Sequence, residues 1–358
     1  MKRLFVMILL LGLIIAYSIV TFSFDFKYDK YLSFENNELN LQEIIEIHNL
    51  FDDFHLLNSR IEDVSLEITD DIDLYITNRD SFLVVKNDDF YLGYMSIEEQ
   101  NIFVNEDIIN FLLGETDNKY SNLEFQYNMQ TLRAIVLGNK FMSIENYGID
   151  FFIQGKLLHG VKLVENNYEG IVQEKNNRHY ITAFSDGVNT ELNNNGLIND
   201  RDFSSYGYSL GLEINKELNS YLINFTAEDF ISKIFWKDVY TYTSYYYKSS
   251  LGLYPSPDDS HSIGNYSYQN YETSLTAKYD LSISRRDFTY GLNYRKSLTP
   301  YLKWNILKEP LNLTIGYSKE LYHFELSYKN INLSLYTENI NPTVSKSATG
   351  KLSILVNF

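Results

Sequence analysis

Lys351-Leu352-Ser353-Ile354-Leu355-Val356-Asn357-Phe358 closes the chain, and its reading decides the fold. Side chains of a strand alternate between faces. Leu352, Ile354, Val356 and Phe358 therefore share an oily face that runs to the carboxyl terminus, while Lys351, Ser353 and Asn357 share a wet one, with Leu355 the exception. A soluble domain usually leaves its last residues loose and polar. A barrel in lipid must commit its final strand to pairing, because an unpaired edge there finds no water. This strand alone leaves two readings open: the buried terminal strand of a soluble sandwich, or the closing strand of a membrane barrel.

Working upstream, the same alternation recurs. Leu311, Leu313, Ile315 and Tyr317 turn at Ser318-Lys319-Glu320 into Tyr322, Phe324, Leu326 and Tyr328. Tyr271, Thr273, Leu275, Ala277, Tyr279, Leu281 and Ile283 read as one long strand, and Arg285-Arg286-Asp287 turns it into Phe288, Tyr290, Leu292 and Tyr294. Tyr206, Tyr208, Leu210, Leu212 and Ile214 lead through 216–219 to Tyr221, Ile223 and Phe225. Connections this short make antiparallel, up-and-down neighbours. Several runs keep their period for nine to thirteen residues, whereas sandwich strands average about five or six and a tilted membrane strand needs about nine to eleven. Tyrosines at the strand ends on the apolar face match the two interfaces of a bilayer. The expected fold is all-β: a transmembrane antiparallel up-and-down barrel in which Phe324, Leu326 and Ile354 face outward.

Composition agrees. The chain of 358 residues has 31 Tyr and 23 Phe, which suit strands and aromatic girdles. It has no cysteine, which excludes disulfides, a thiolate metal site, a cysteine nucleophile and a lipoprotein anchor. A net charge of −17 argues against nucleic acid as a partner. The single long apolar run, Leu4–Val20 behind Lys2-Arg3 and ahead of Thr21-Phe22-Ser23, reads as a secretory signal over residues 1–23, long enough to serve otherwise as an uncleaved anchor. Residues 24–60 read as an acidic leader. Leu41, Ile44, Ile45, His48 and Phe51 stand at helical spacing, suiting a segment that plugs the lumen or lies at its mouth. The barrel is expected over 61–358. Its first part has shorter strands, Ile72–Thr77, Phe82–Lys86 and Phe90–Met95, with Asn78-Arg79-Asp80 as a turn. Residues 106–113 suit a short helix, Tyr147–Leu158 and Val161–Glu165 two strands with Gly155 and Gly160 as kinks, and Asp186–Asp202 a long surface loop.

From Tyr206 onward the chain resembles the FadL-type superfamily of outer-membrane barrels, PorV-like proteins included. The resemblance rests on Gly207-Tyr208-Ser209-Leu210-Gly211-Leu212-Glu213-Ile214, on the strand and corner Tyr221–Phe230, on Ser232-Lys233-Ile234-Phe235-Trp236, and on the close Gly350–Phe358. It implies about 14 strands (12–16), an N-terminal segment folded into the lumen, and placement in the outer membrane of a two-membraned bacterium. It also implies passive transport or capture of small hydrophobic molecules, or alternatively a non-transporting scaffold that holds exported proteins at the surface. Residues 24–60 contain no proline, so the N-P-A-like hatch motif of FadL-type transporters is missing, and hatch gating does not carry over.

If the apolar faces meet lipid, Glu213, Glu272, Lys278, Asp280, Arg295, His323 and Glu325 line the lumen. Charges of both signs inside a barrel usually pair and fill it, and no ring of one sign stands out. The six histidines show no metal-ligand spacing. Pro257-Asp258-Asp259-Ser260-His261 suits an exposed loop tip rather than a cation site. No G-x-S-x-G context supports a hydrolase. The expectation is no enzyme, no metal and no cofactor. The expected partners are membrane lipid, a small hydrophobic ligand and, through Leu352, Ile354, Val356 and Phe358, the barrel-assembly machinery.

Overall fold

The structure is a computed structural model describing residues 25–36, 71–86, 90–108, 120–175, 178–190, 204–251, 260–295, 298–307, 311–318, 321–337 and 347–357. Among the described residues, sixteen strands form one antiparallel sheet: β1 (Asp25–Asn36), β2 (Ile72–Lys86), β3 (Phe90–Val104), β4 (Tyr120–Ile144), β5 (Ile149–Lys175), β6 (Arg178–Asn189), β7 (Ser204–Leu218), β8 (Tyr221–Leu251), β9 (Ser260–Thr273), β10 (Lys278–Arg285), β11 (Phe288–Tyr294), β12 (Leu298–Leu307), β13 (Leu311–Ser318), β14 (Leu321–Tyr328), β15 (Ile331–Thr337) and β16 (Ser347–Asn357). The sheet closes on itself. β16 pairs with β1 from Asn357↔Asp25 to Ser347↔Glu35. β5 pairs with β7, and β8 with both β7 and β10. With β6 and β9 outside the ring, the barrel has fourteen strands. Closure gives each ring strand a ladder partner on both sides over most of its length, which satisfies backbone polar groups that an open sheet would expose, while β9 pairs with β8 alone.

The two ends differ. One carries both termini of the ring and tight turns at Gly148, Asn219-Ser220, Arg286-Asp287 and Lys329-Asn330. Asn219, Arg286 and Lys329 adopt φ of 50–54° there, as two-residue hairpins between twisted strands require. At the other end the wall rises further on one side. The distal parts of β5 and β8 continue past the ring and pair with β6 and β9, forming an extension with β4.

The barrel is apolar outside and polar inside. On β11 the outward row is Phe288, Tyr290, Leu292 and Tyr294, 41–57% exposed, and the inward row is Thr289, Gly291 and Asn293. On β14 the outward row is Tyr322, Phe324, Leu326 and Tyr328, and the inward row holds His323, Glu325 and Ser327. Aromatic pairs stand near both ends of this outer face. Tyr317–Tyr322 and Tyr279–Tyr294 lie toward one end, and the stacked Phe288–Trp304 toward the other, centroids 5.8, 6.1 and 5.9 Å apart. Inside, an apolar cluster fills one flank: Ile97, Leu132, Leu158, Ile234, Trp236 and Leu275 are each at most 4% exposed.

Several sequence expectations need correction. The barrel begins at Asp25, not at residue 61: residues 25–36, placed in the leader, are the strand that receives β16. Asn78-Arg79-Asp80 is no turn but the middle of the continuous β2, because Arg79 points inward to carboxylates while Asp80 meets Lys30 outside at 2.9 Å. Residues 149–165 lie on one continuous strand, β5, with Val161 an unpaired extra residue beside Gly160, while Tyr147 ends a short 3-10 helix, Glu145–Tyr147. Residues 186–189 belong to β6 rather than to a loop. The ring strands β10–β15 hold seven to ten residues, fewer than the nine to thirteen read from periodicity. The signal segment 1–23, the helical pattern 41–51, Asp258, Asp259 and Phe358 lie outside the described residues.

Candidate functional site

Contacts that span the lumen define the site. Arg295, beyond β11, stacks its guanidinium on the Tyr75 ring at 4.2 Å and donates to the Thr77 hydroxyl. Lys278 on β10 sits 4.9 Å from the Tyr31 ring on β1. In both cases the strands stand seven places apart in the ring of fourteen, so these side chains bridge opposite walls. Between them lies a layer of charge. Arg79 on β2 contacts Glu99 at 3.2 Å, Glu228 at 3.3 Å and Asp229 at 3.3 Å. Lys156 on β5 meets Asp229 at 2.7 Å, Ser209 donates to the same carboxylate at 2.5 Å, and Gln130 donates to Glu99 at 3.1 Å.

A break in strand regularity assembles the layer. Successive residues of a strand point to opposite faces, so Glu228 and Asp229 cannot both reach a lumen from a regular β8. Asp229 has φ +53°, and the ladder to β7 passes from Ala227↔Leu212 to Ile231↔Leu210, leaving 228–230 as extra residues opposite Gly211. This bulge turns the second carboxylate inward, where Asp229 is 2% exposed. Gly160 has a matching role on β5: a Cβ there would lie 2.2 Å from the Trp236 indole, so its absence lets Trp236 pack fully buried.

Six of the seven expected lumen residues do face inward. Glu213 accepts from Asn215 at 2.8 Å and from Asn224 at 3.3 Å. Asp280 accepts from Tyr301 at 3.0 Å. Glu325 accepts from Asn332 at 2.8 Å and lies 3.7 Å from His323, whose ring stacks on Tyr336 at 4.0 Å. Lys278 and Arg295 belong to the layer described above. Glu272 is the exception. It stands outside, paired with Lys233 at 2.7 Å, because the chain leaves the ladder over 274–277 and resumes on the opposite parity. A one-residue slip exchanges the two faces, so Tyr271, Thr273 and Leu275 point in. Leu352, Ile354 and Val356 lie outward on β16 as read. Arg79, Glu99, Lys156, Glu228 and Asp229, the centre of the site, were not singled out from sequence.

On the extension side of the layer is a polar cavity of about 290 Å³, lined by Tyr75, Glu99, Gln130, Glu165 and Thr273 among others. In the extension, Tyr271 donates to the Glu165 carboxylate. Burial, reinforced by Asp186, raises the Glu165 pKa above the ordinary carboxylate value. Burial likewise pushes the Tyr242 phenol up to about 12. Among the described residues no group of three or more His, Asp or Glu is placed to hold a metal.

No family model and no curated protein matches the chain. Among solved structures, the TodX deltaS2S3 mutant monoaromatic hydrocarbon channel aligns with 95% of this chain and 91% of its own, at 9% identity and a TM-score of 0.45. The P. putida toluene transporter TodX aligns with 94% and 90%, at 9% identity and a TM-score of 0.44.

Proposed function

We propose that this chain is an outer-membrane β-barrel that passes or captures small hydrophobic molecules. The observation that carries the reading is the inverted distribution of polarity: closed outward rows of aromatic and aliphatic side chains around an interior of paired charges. In water such a surface is an aggregation liability; against acyl tails it is the stable arrangement. Two ion pairs interrupt that wall, Lys30–Asp80 midway along β1 and β2 and Lys233–Glu272 on β8 and β9, and in each the charge is answered by its partner. The hydrophobic character of the cargo is supported by the apolar flank of Ile97, Leu132, Leu158, Ile234, Trp236 and Leu275 inside an otherwise polar lumen. That flank adjoins the stretch where β8 pairs with neither β9 nor β10, held by reciprocal bonds between Ser232 and Leu275 at 2.9 and 3.2 Å.

The test uses vesicles with a lipopolysaccharide outer leaflet, N-phenyl-1-naphthylamine as the apolar probe and glucose as the polar one. The protein should speed entry of the naphthylamine and leave glucose entry unchanged. No acceleration, or equal acceleration of both, contradicts the reading.

A further inference from the structure

We propose that the Arg79 layer is the ion barrier of this barrel: it shuts the lumen to ions of either sign. The proposal rests on the reading of the chain as a lipid-spanning barrel and adds to it the residues that set what passes. Three observations carry it.

First, the layer reaches across. Arg79 on β2 joins Glu228 and Asp229 on β8, and the Arg295–Tyr75 and Lys278–Tyr31 contacts join strands half the ring apart. Second, its core charges are matched. Arg79 and Lys156 are held by Glu99, Glu228 and Asp229, and Lys278 stands directly across the ladder from Glu228, so three basic side chains face three carboxylates, with Arg295 at the margin against Tyr75. A matched layer offers no site of one sign to attract an ion. An ion could cross only by displacing a partner from pairs such as Arg79–Glu99 and Lys156–Asp229, whose side chains are at most 8% exposed, which is costly. Third, the wall departs from regularity at Asp229 itself. A regular β8 would place that carboxylate on the outer face; the φ of +53° and the bulge bring it inward beside Glu228. The strand distortion thus supplies the carboxylate that balances Arg79 and Lys156.

Charge reversal tests the barrier and its sign. The full chain is inserted in planar bilayers under a KCl gradient, and folding is checked by heat-modifiable migration. Wild type should show no ion conductance. Arg79→Glu should conduct with K⁺ preferred over Cl⁻, Asp229→Arg should conduct with Cl⁻ preferred, and the double exchange Arg79→Glu/Asp229→Arg should return to silence. Glu228→Gln, whose parent side chain is 45% exposed, is the milder variant should a reversal fail to insert, and it should conduct with Cl⁻ preferred. A conducting wild type, silent folded variants, or the same ion preference in both reversals overturns the proposal. If wild type does not enter lipid at all, the failure belongs to the outer-membrane reading, which acyl-chain quenching of Trp304 reports independently.

Discussion

Replacing Leu326 by arginine separates a lipid-facing wall from a water-facing one, because the two settings give effects of different size. Leu326 lies on the outer face of β14, 42% exposed, opposite Leu313 on β13 and Leu333 on β15 and between the rings of Tyr322 and Tyr328. Burying a whole leucine side chain is worth about 1.5–3 kcal/mol, so acyl tails covering its open 42% contribute about 1 kcal/mol. Arginine on a barrel's lipid face costs ~2–4 kcal/mol at the midplane and ~0–1 near the interfaces. Leu326 stands off centre, nearer Tyr328, so about 2 kcal/mol applies. The substitution should then destabilise the inserted barrel by about 3 kcal/mol, roughly a hundredfold in its folding equilibrium. On a water-facing surface the same change falls within about 0.5 kcal/mol of zero. The assay is guanidinium unfolding in vesicles, followed by the emission of Trp236 and Trp304. Ser327→Arg, which points into the lumen near Glu325, is the control and should cost under about 1 kcal/mol. Equal stability of Leu326→Arg and wild type, or equal loss in both variants, refutes the reasoning.

Two further outcomes follow from local geometry. Burial raises the Glu165 pKa, so the neutral carboxyl is the form the fold favours; its stabilisation is complete below the ordinary value of 4.5 and is lost as pH climbs through the raised value. Hydrogen exchange of amides in β5 and β9 should therefore quicken, beyond the intrinsic pH effect, as pH rises from about 4.5, and Glu165→Gln should abolish that excess; an unchanged profile in the variant contradicts it. Gly160→Ala would place a methyl group 2.2 Å from the Trp236 ring, and overpacking of this kind costs about 1–3 kcal/mol. Guanidinium unfolding should show that loss together with a shifted Trp236 emission, and an unperturbed spectrum would place the ring elsewhere.

The outward-facing half of the fold was legible because it obeys a period of two. Leu311–Tyr317, Tyr322–Tyr328, Phe288–Tyr294 and the closing strand all face as their alternation requires, and their hairpins fall where the turn residues stand. The charged layer was hidden for the opposite reason. Arg79 sits between Asn78 and Asp80, and three consecutive polar residues imitate a turn although one of them faces carboxylates and its neighbour an external lysine. Asp229 enters the lumen only through a bulge, which removes the period that would have marked it. Glu272 failed as a lumen residue because the ladder lapses over 274–277 and parity resets, an event that Ser274-Leu275-Thr276-Ala277 does not announce in its alternation. Lys156 was open to detection: Gln154 and Lys156 alternate with Ile153, Gly155 and Leu157 in a run otherwise apolar on its outer face. The first strand escaped because Phe26, Tyr28 and Leu32 are interleaved with Lys30, whose charge is answered from the next strand by Asp80.

The two tryptophans permit the most direct measurement. Trp304 is 46% exposed on the outer wall, and Trp236 is fully buried on the inner flank. Single-tryptophan variants, Trp236→Phe and Trp304→Phe, are inserted into vesicles whose acyl chains carry bromine. Emission from Trp304 should be strongly quenched and emission from Trp236 largely retained. An unquenched Trp304, or equal quenching of both, would contradict a wall that meets acyl tails on one side and encloses a filled lumen on the other.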